Sequence, residues 1–140
     1  MQMNNRSFTL LEMLIVIVII GILAGAAIPV YLNSREKAYS AEAWVNLSAL
    51  AKGLKQYMFE YNNAWTTNIS ALEVDDPGTN PNAKFTYAIW GTAAQGGPYA
   101  MSKANPSIGY QIQCQNGGTA TETWVRYQTR DNWASAQQLP

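Results

Sequence analysis

Histidine is absent from the sequence, and cysteine occurs once, at Cys114. The first absence removes imidazole as a general base and metal ligand; the second rules out a disulfide within the chain and a Cys/His zinc site. Charge is scarce too. Nine basic and nine acidic residues balance to a formal net charge of zero. They are scattered, so nothing has the density of Lys and Arg that a phosphate backbone demands. The common catalytic toolkit is therefore missing, and the sequence predicts no enzyme, no cofactor, no metal centre and no direct nucleic-acid partner.

What is present is unevenly spread. Met13 to Leu32 is one uncharged, mostly apolar stretch, whereas the chain beyond Asn33 is polar, rich in Asn, Gln, Thr and Ser, and punctuated by Gly and Pro. As a helix, about 20 residues rising roughly 1.5 Å each span about 30 Å, the thickness of a bilayer's hydrocarbon core. A secretory signal peptide has a similar outline, with Arg6 as its basic flank and Ala24-Gly25-Ala26 as a small-residue cleavage site. Two features oppose that reading. Glu12 puts a carboxylate at the edge of the apolar run, and the helical pattern continues through Pro29 into Tyr31, Ala38 and Trp44. Charge does not orient the segment in the expected way: Arg6 stands against Arg35, Lys37, Lys52 and Lys55 on the other side.

Ser7-Phe8-Thr9-Leu10-Leu11-Glu12, the apolar run from Met13 to Ala24, and Pro29 together resemble the N-terminus of type IV pilins and pseudopilins. The resemblance is strong over about the first sixty residues and extends to the remainder only in general layout. It implies that a prepilin peptidase on the cytoplasmic side cuts between Ser7 and Phe8 and methylates the new amine of Phe8. Residues 1–7 would then be a leader, and the orientation is set by the side of the cut. It also implies an inner-membrane, single-pass subunit drawn by an assembly ATPase and a membrane platform into a homo-oligomeric helical filament. The family most often has Gly before the cut; here the residue is Ser7, small enough for the same site but expected to slow processing.

An ionised Glu on a lipid-facing helix costs a few kcal/mol unless it is paired or close to the interface. After the expected cut, Glu12 lies one helical turn from the Phe8 amine, so carboxylate and ammonium can meet within one chain or between neighbours. In the family this Glu is the assembly residue. The alternative is a side chain that merely snorkels to the headgroups. Gly21 and Gly25 form a small-xxx-small pair that lets helices approach closely in lipid, or else they only loosen this helix. Pro29 lacks an amide hydrogen and is expected to kink or locally open the helix, and the resemblance extends that expectation to the whole Gly21, Gly25, Pro29 zone.

Farther on, Trp44, Leu47, Leu50, Leu54, Met58 and Tyr61 recur at spacings of three and four, which predicts an amphipathic helix. Its other face carries Arg35, Glu36, Glu42, Lys52, Lys55 and Glu60, and Asn62-Asn63 ends it. Phe85 to Trp90 and Tyr110 to Gln115 alternate as half-buried strands. Asn116-Gly117-Gly118 signals a turn into a return strand over Thr123 to Gln128. Tyr99 to Lys103 is a weaker strand after a Gly-rich loop, and the tail from Asp131 has little pattern. The expected fold class is α+β: a long N-terminal helix, transmembrane in its first half and amphipathic in its second, packed against three or four antiparallel strands. The expected divisions are 1–7 (leader), 8–32 (transmembrane and assembly helix), 33–61 (amphipathic helix) and 62–140 (head).

Other candidate sites are weaker. Glu73, Asp75 and Asp76 do not follow the alternating ligand spacing of a calcium loop and read as a solvated turn. Cys114 reads as core, and the tripeptides at Asn46 and Asn68 are too short to specify glycosylation. Trp44, Trp65, Trp90, Trp124 and Trp133 lack interleaved basic residues and read as packing groups. The leading function is thus a structural subunit of a type IV pilus, serving adhesion, motility or DNA uptake. The alternatives are a pseudopilin of a type II secretion system, building a short periplasmic filament, and a minor tip pilin that binds DNA or a surface.

Overall fold

The computed structural model describes residues 9–117, 123–129 and 136–139. Among these described residues one helix, α1 (Leu10–Glu60), precedes two single 3-10 turns, Ile69–Ala71 and Pro77–Thr79, and then five strands. These are β1 (Phe85–Gly91), β2 (Gln95–Ser102), β3 (Gly109–Gln115), β4 (Thr123–Thr129) and β5 (Gln137–Leu139). The contacts cluster into two units, Met1–Ala38 and Tyr39–Pro140.

Among its described residues the first unit holds the leading part of α1, and the side chains from Leu10 to Leu32 are exposed. Such a surface is untenable in water. A stretch this apolar, with none of its most apolar window buried in the protein, needs lipid or other apolar helices around it.

The second unit has its own core. Ala43, Leu47 and Ala51 on α1 pack against Phe85, Ala100, Tyr110 and Ile112. One turn on, Leu50 and Leu54 close over Ile69, Leu72 and Ile89. The spacing of three and four that predicted an amphipathic helix is thereby realised, with Leu47, Leu50, Leu54 and Met58 all buried. Tyr61 departs from that expectation. The helix stops at Glu60, and Tyr61 lies exposed in the next turn with its ring stacked on Tyr57 at 4.5 Å. Asn62 and Asn63 take φ of 53° and 64°, the left-handed turn their side chains tolerate, and end the helix as expected.

The sheet is an antiparallel meander in the order β1-β2-β3-β4-β5. It has five strands rather than three or four, for two reasons. Gln137–Leu139 pairs with β4 through Arg126↔Leu139 and Gln128↔Gln137, and a three-residue strand is too short to show alternation in sequence. The Gly-rich segment before Tyr99 is also the first half of β2, not a loop. A Cβ at Gly96 would run into the Trp90 carbonyl oxygen, and one at Gly97 into that of Ile112, so glycine here marks neighbouring backbones drawn close. Pro98 comes next, buried, at the point where the β2–β3 pairs are interrupted between Gly96↔Cys114 and Tyr99↔Gln111.

Around this core, aromatic side chains close the edges. Trp44 and Phe85 meet the Tyr110 ring edge-on at 5.4 and 5.8 Å. Lys55 Nζ lies 4.8 Å from the Trp124 ring and the Arg126 guanidinium 5.6 Å from that of Trp44, so two charged stems shield partly exposed indoles. Asn46 Nδ2 donates to the Tyr87 hydroxyl oxygen at 2.9 Å. Burial raises the Tyr87 pKa above its ordinary value, the Asn46 bond offsets this in part, and the nearby Glu42 charge adds to it.

Candidate functional site

The residues expected to carry assembly gather at the start of α1. Ser7 and Phe8 lie outside the described residues. Thr9 is the first described one, and it organises the opening turn of the helix. Its carbonyl accepts from the amides of Glu12 and Met13 at 3.1 and 3.3 Å, and its Oγ1 also accepts from the Glu12 amide, at 3.2 Å. Thr9 is therefore an N-cap, three residues ahead of a glutamate, the spacing of a capping box. The sequence reading missed this role, although Thr9-Leu10-Leu11-Glu12 carries its signature.

Thr9 fixes where the helix begins, and so places Glu12 in its first turn. A carboxylate there faces the positive end of the helix dipole, a favourable interaction of about 0.3–1 kcal/mol at exposed sites. The Glu12 side chain is exposed, ringed along the helix by Leu11, Met13, Ile15 and Val16, which are exposed too.

Along the same segment, α1 continues without a break across Gly21, Gly25 and Pro29. Pro29 has no amide hydrogen, so the Gly25 carbonyl receives no bond from the residue four ahead. A Cβ at Gly21 or Gly25 would meet nothing within 4 Å. Space around these two positions therefore does not itself require glycine in the single chain. Ser34 Oγ donates to the Val30 carbonyl oxygen at 2.9 Å, just beyond the proline.

The weaker candidates take ordinary places. Glu73 and Asp75 are exposed, and Asp76 caps the short turn at Pro77–Thr79 by accepting from the Gly78 amide at 2.8 Å. Among the described residues no three acidic or cysteine side chains converge as a metal set would. Cys114 is buried, its thiol 3.7 Å from the Ala93 carbonyl oxygen. Asn46 is engaged with Tyr87, and Asn68 caps the turn at Ile69–Ala71 by accepting from the Ser70 amide at 3.0 Å. Trp133 and Asp131 lie outside the described residues.

Comparison with known proteins agrees with this reading. The family model described as the prokaryotic N-terminal methylation motif matches residues 2–28. The type II secretion system core protein G of Escherichia coli K12 is 41% identical over 84 residues, 60% of this chain and 58% of that protein. The type IV major pilin protein PilA of Myxococcus xanthus is 45% identical over 57 residues, 41% of this chain and 26% of the pilin. The type IV major pilin protein PilE1 of Neisseria gonorrhoeae is 34% identical over 92 residues, 64% of this chain and 53% of the pilin. No solved structure matches. The aligned part spans about half the length of these relatives or less. Through the methylation motif and these relatives, the N-terminal region of the chain is similar to that of type IV pilins and of the type II secretion core protein G.

Proposed function

We propose that the chain is a structural, non-enzymatic subunit of a helical filament of the type IV pilus kind. It is held in the inner membrane by the first part of α1 until assembly. The carrying observation is the exposed apolar helix headed by a single carboxylate, Glu12. In this reading a prepilin peptidase cuts between Ser7 and Phe8 and methylates Phe8. The helix then exchanges lipid for sister helices, and Glu12 meets the Phe8 ammonium of a neighbour. Two charges that are each costly in an apolar bundle neutralise one another only at one axial stagger, so the pair sets register. Gly21 and Gly25 let the rods approach, and Pro29, which offers no amide to the Gly25 carbonyl, is where the helix opens when a subunit is drawn into place.

A second reading, a type II secretion pseudopilin, is supported by the protein G similarity. Its 41% identity extends over 84 residues, whereas the 45% identity with the Myxococcus pilin extends over 57. Deletion of the gene, read by electron microscopy and by a secretion assay, tests both. Loss of long surface fibres supports the pilus, and intact fibres with failed protein export support the pseudopilus. Fibres and export both unchanged would defeat the proposal.

A further inference from the structure

The sheet has a second face, turned away from α1. Alternation along the paired strands turns Phe85, Ala100, Tyr110 and Ile112 toward the helix and sends their neighbours to the other side. From Thr86 on β1 to Thr129 on β4, the outward positions are Gln, Thr, Ala, Gly, Val, Met, Tyr and Trp, with no charged residue among those described. A sheet face left to water alone would be expected to carry Lys or Glu.

On this face is a recess of about 430 Å³ lined by Trp90, Tyr99, Met101 and Gln111. That is within the usual range for small-ligand sites, roughly 300–1,000 Å³. Its walls are apolar and aromatic, and one polar group stands out. Gln111 is only 6% exposed, and its Nε2 is buried without a hydrogen-bond partner. A buried amide donor without a partner carries a desolvation cost, and a water or a ligand that accepts from it removes that cost. Trp65 Nε1 is likewise unpartnered, but it belongs to the helix side, packed against the Leu50 and Leu54 cluster.

We propose that this recess binds a neutral saccharide. The missing partner of Gln111 Nε2 must be an acceptor, which a sugar hydroxyl or acetamido oxygen supplies. Trp90, Tyr99 and Met101 offer flat apolar surface to the C–H face of a pyranose ring. The uncharged surroundings give no purchase to a phosphate or carboxylate, which sets nucleic acid and acidic glycans aside despite the aromatic rings. The assignment does not depend on whether the chain forms a pilus or a pseudopilus.

The test uses the full chain in lipid nanodiscs, because glycoside detergents would compete. Cellotriose, tri-N-acetylchitotriose, trigalacturonate and a single-stranded oligonucleotide are offered in turn and read by saturation-transfer NMR. Saturable transfer to the ring protons of at least one neutral trisaccharide is expected, lost tenfold or more in Gln111→Leu and in Trp90→Ala. Preference for the acetylated sugar would identify an amino-sugar polymer as the source, and the reverse a plain glucan; either supports the site. Gln111→Leu should melt at or above the wild-type temperature, since it removes an unmade bond. A lower melting temperature would show that the amide serves the fold and would overturn the proposal. So would silence from both neutral sugars, unaltered binding by either variant, or equal binding of trigalacturonate or the oligonucleotide.

Discussion

Glu12 and Leu50 show how differently single residues act in the two units. Leu50 is fully buried between the helix and Ile89, and its truncation to alanine leaves a cavity that close neighbours cannot fill. Leu50→Ala should cost about 2–5 kcal/mol in the stability of the second unit, measured by denaturant titration of the head signal in nanodiscs. Val45→Ala, at a position 70% exposed, should stay within about 0.5 kcal/mol. Glu12, by contrast, contributes little to the single chain beyond its place beside the helix dipole. Glu12→Ala should insert into membranes normally and lower filament incorporation at least tenfold, measured as the sheared fraction against the membrane fraction. Normal filament yield would refute its proposed role in register. Tyr87 adds a pH dependence. Its folded-state pKa is raised, so the unfolded state releases the phenolic proton first. The associated stability is complete below the unfolded value near 10 and is lost as pH rises through the higher folded one. Melting of the head should fall more steeply above about pH 10 in wild type than in Tyr87→Phe.

Among the elements, legibility tracked the length and regularity of each pattern. The helix was readable because Leu47, Leu50, Leu54 and Met58 repeat over several turns, and because Asn62 and Asn63 are side chains that accept positive φ. Phe85 to Trp90 was readable because Phe85 and Ile89 are buried while Thr86 and Trp90 are exposed. On β3 the alternation was present, but its meaning was not. Gln111 and Gln113 looked like a solvent face, yet both are buried, and nothing local in a run of glutamines reveals that. β5 was too short, and the start of β2 was disguised by Gly96-Gly97-Pro98, residues that usually signal a loop. Their reason is tertiary, the proximity of the Trp90 and Ile112 carbonyls. Gly97→Ala should therefore destabilise the head by more than about 2 kcal/mol, whereas Gly21→Ala, with open space around its Cβ, should leave head stability unchanged. Equal melting temperatures for the two variants would contradict the close-approach argument. At the assembly site, Glu12 was conspicuous as a charge against apolar neighbours, while the capping role of Thr9 is the kind of signal a search for chemistry passes over.

For the whole molecule, the governing fact is that the two units require different solvents. Tyr39–Pro140 encloses a core and suits water, while Leu10 to Leu32 displays an unbroken apolar surface. A surface of that extent is unfavourable in water and suits lipid or other apolar helices. Two fates remain for such a segment. It is either removed, as a secretory signal would be, or kept for a lifetime in lipid and then among copies of itself. The mature N-terminus separates them. If the segment is kept and processed as the methylation motif implies, mass spectrometry of native protein should find a chain that begins at Phe8 and is heavier by one methyl group. Ser7→Gly should speed that conversion in cells carrying the peptidase. A mature chain beginning near Ala27 would show instead that the helix is discarded. The Glu12 contact would then have no place to form, and the filament reading would fail with it.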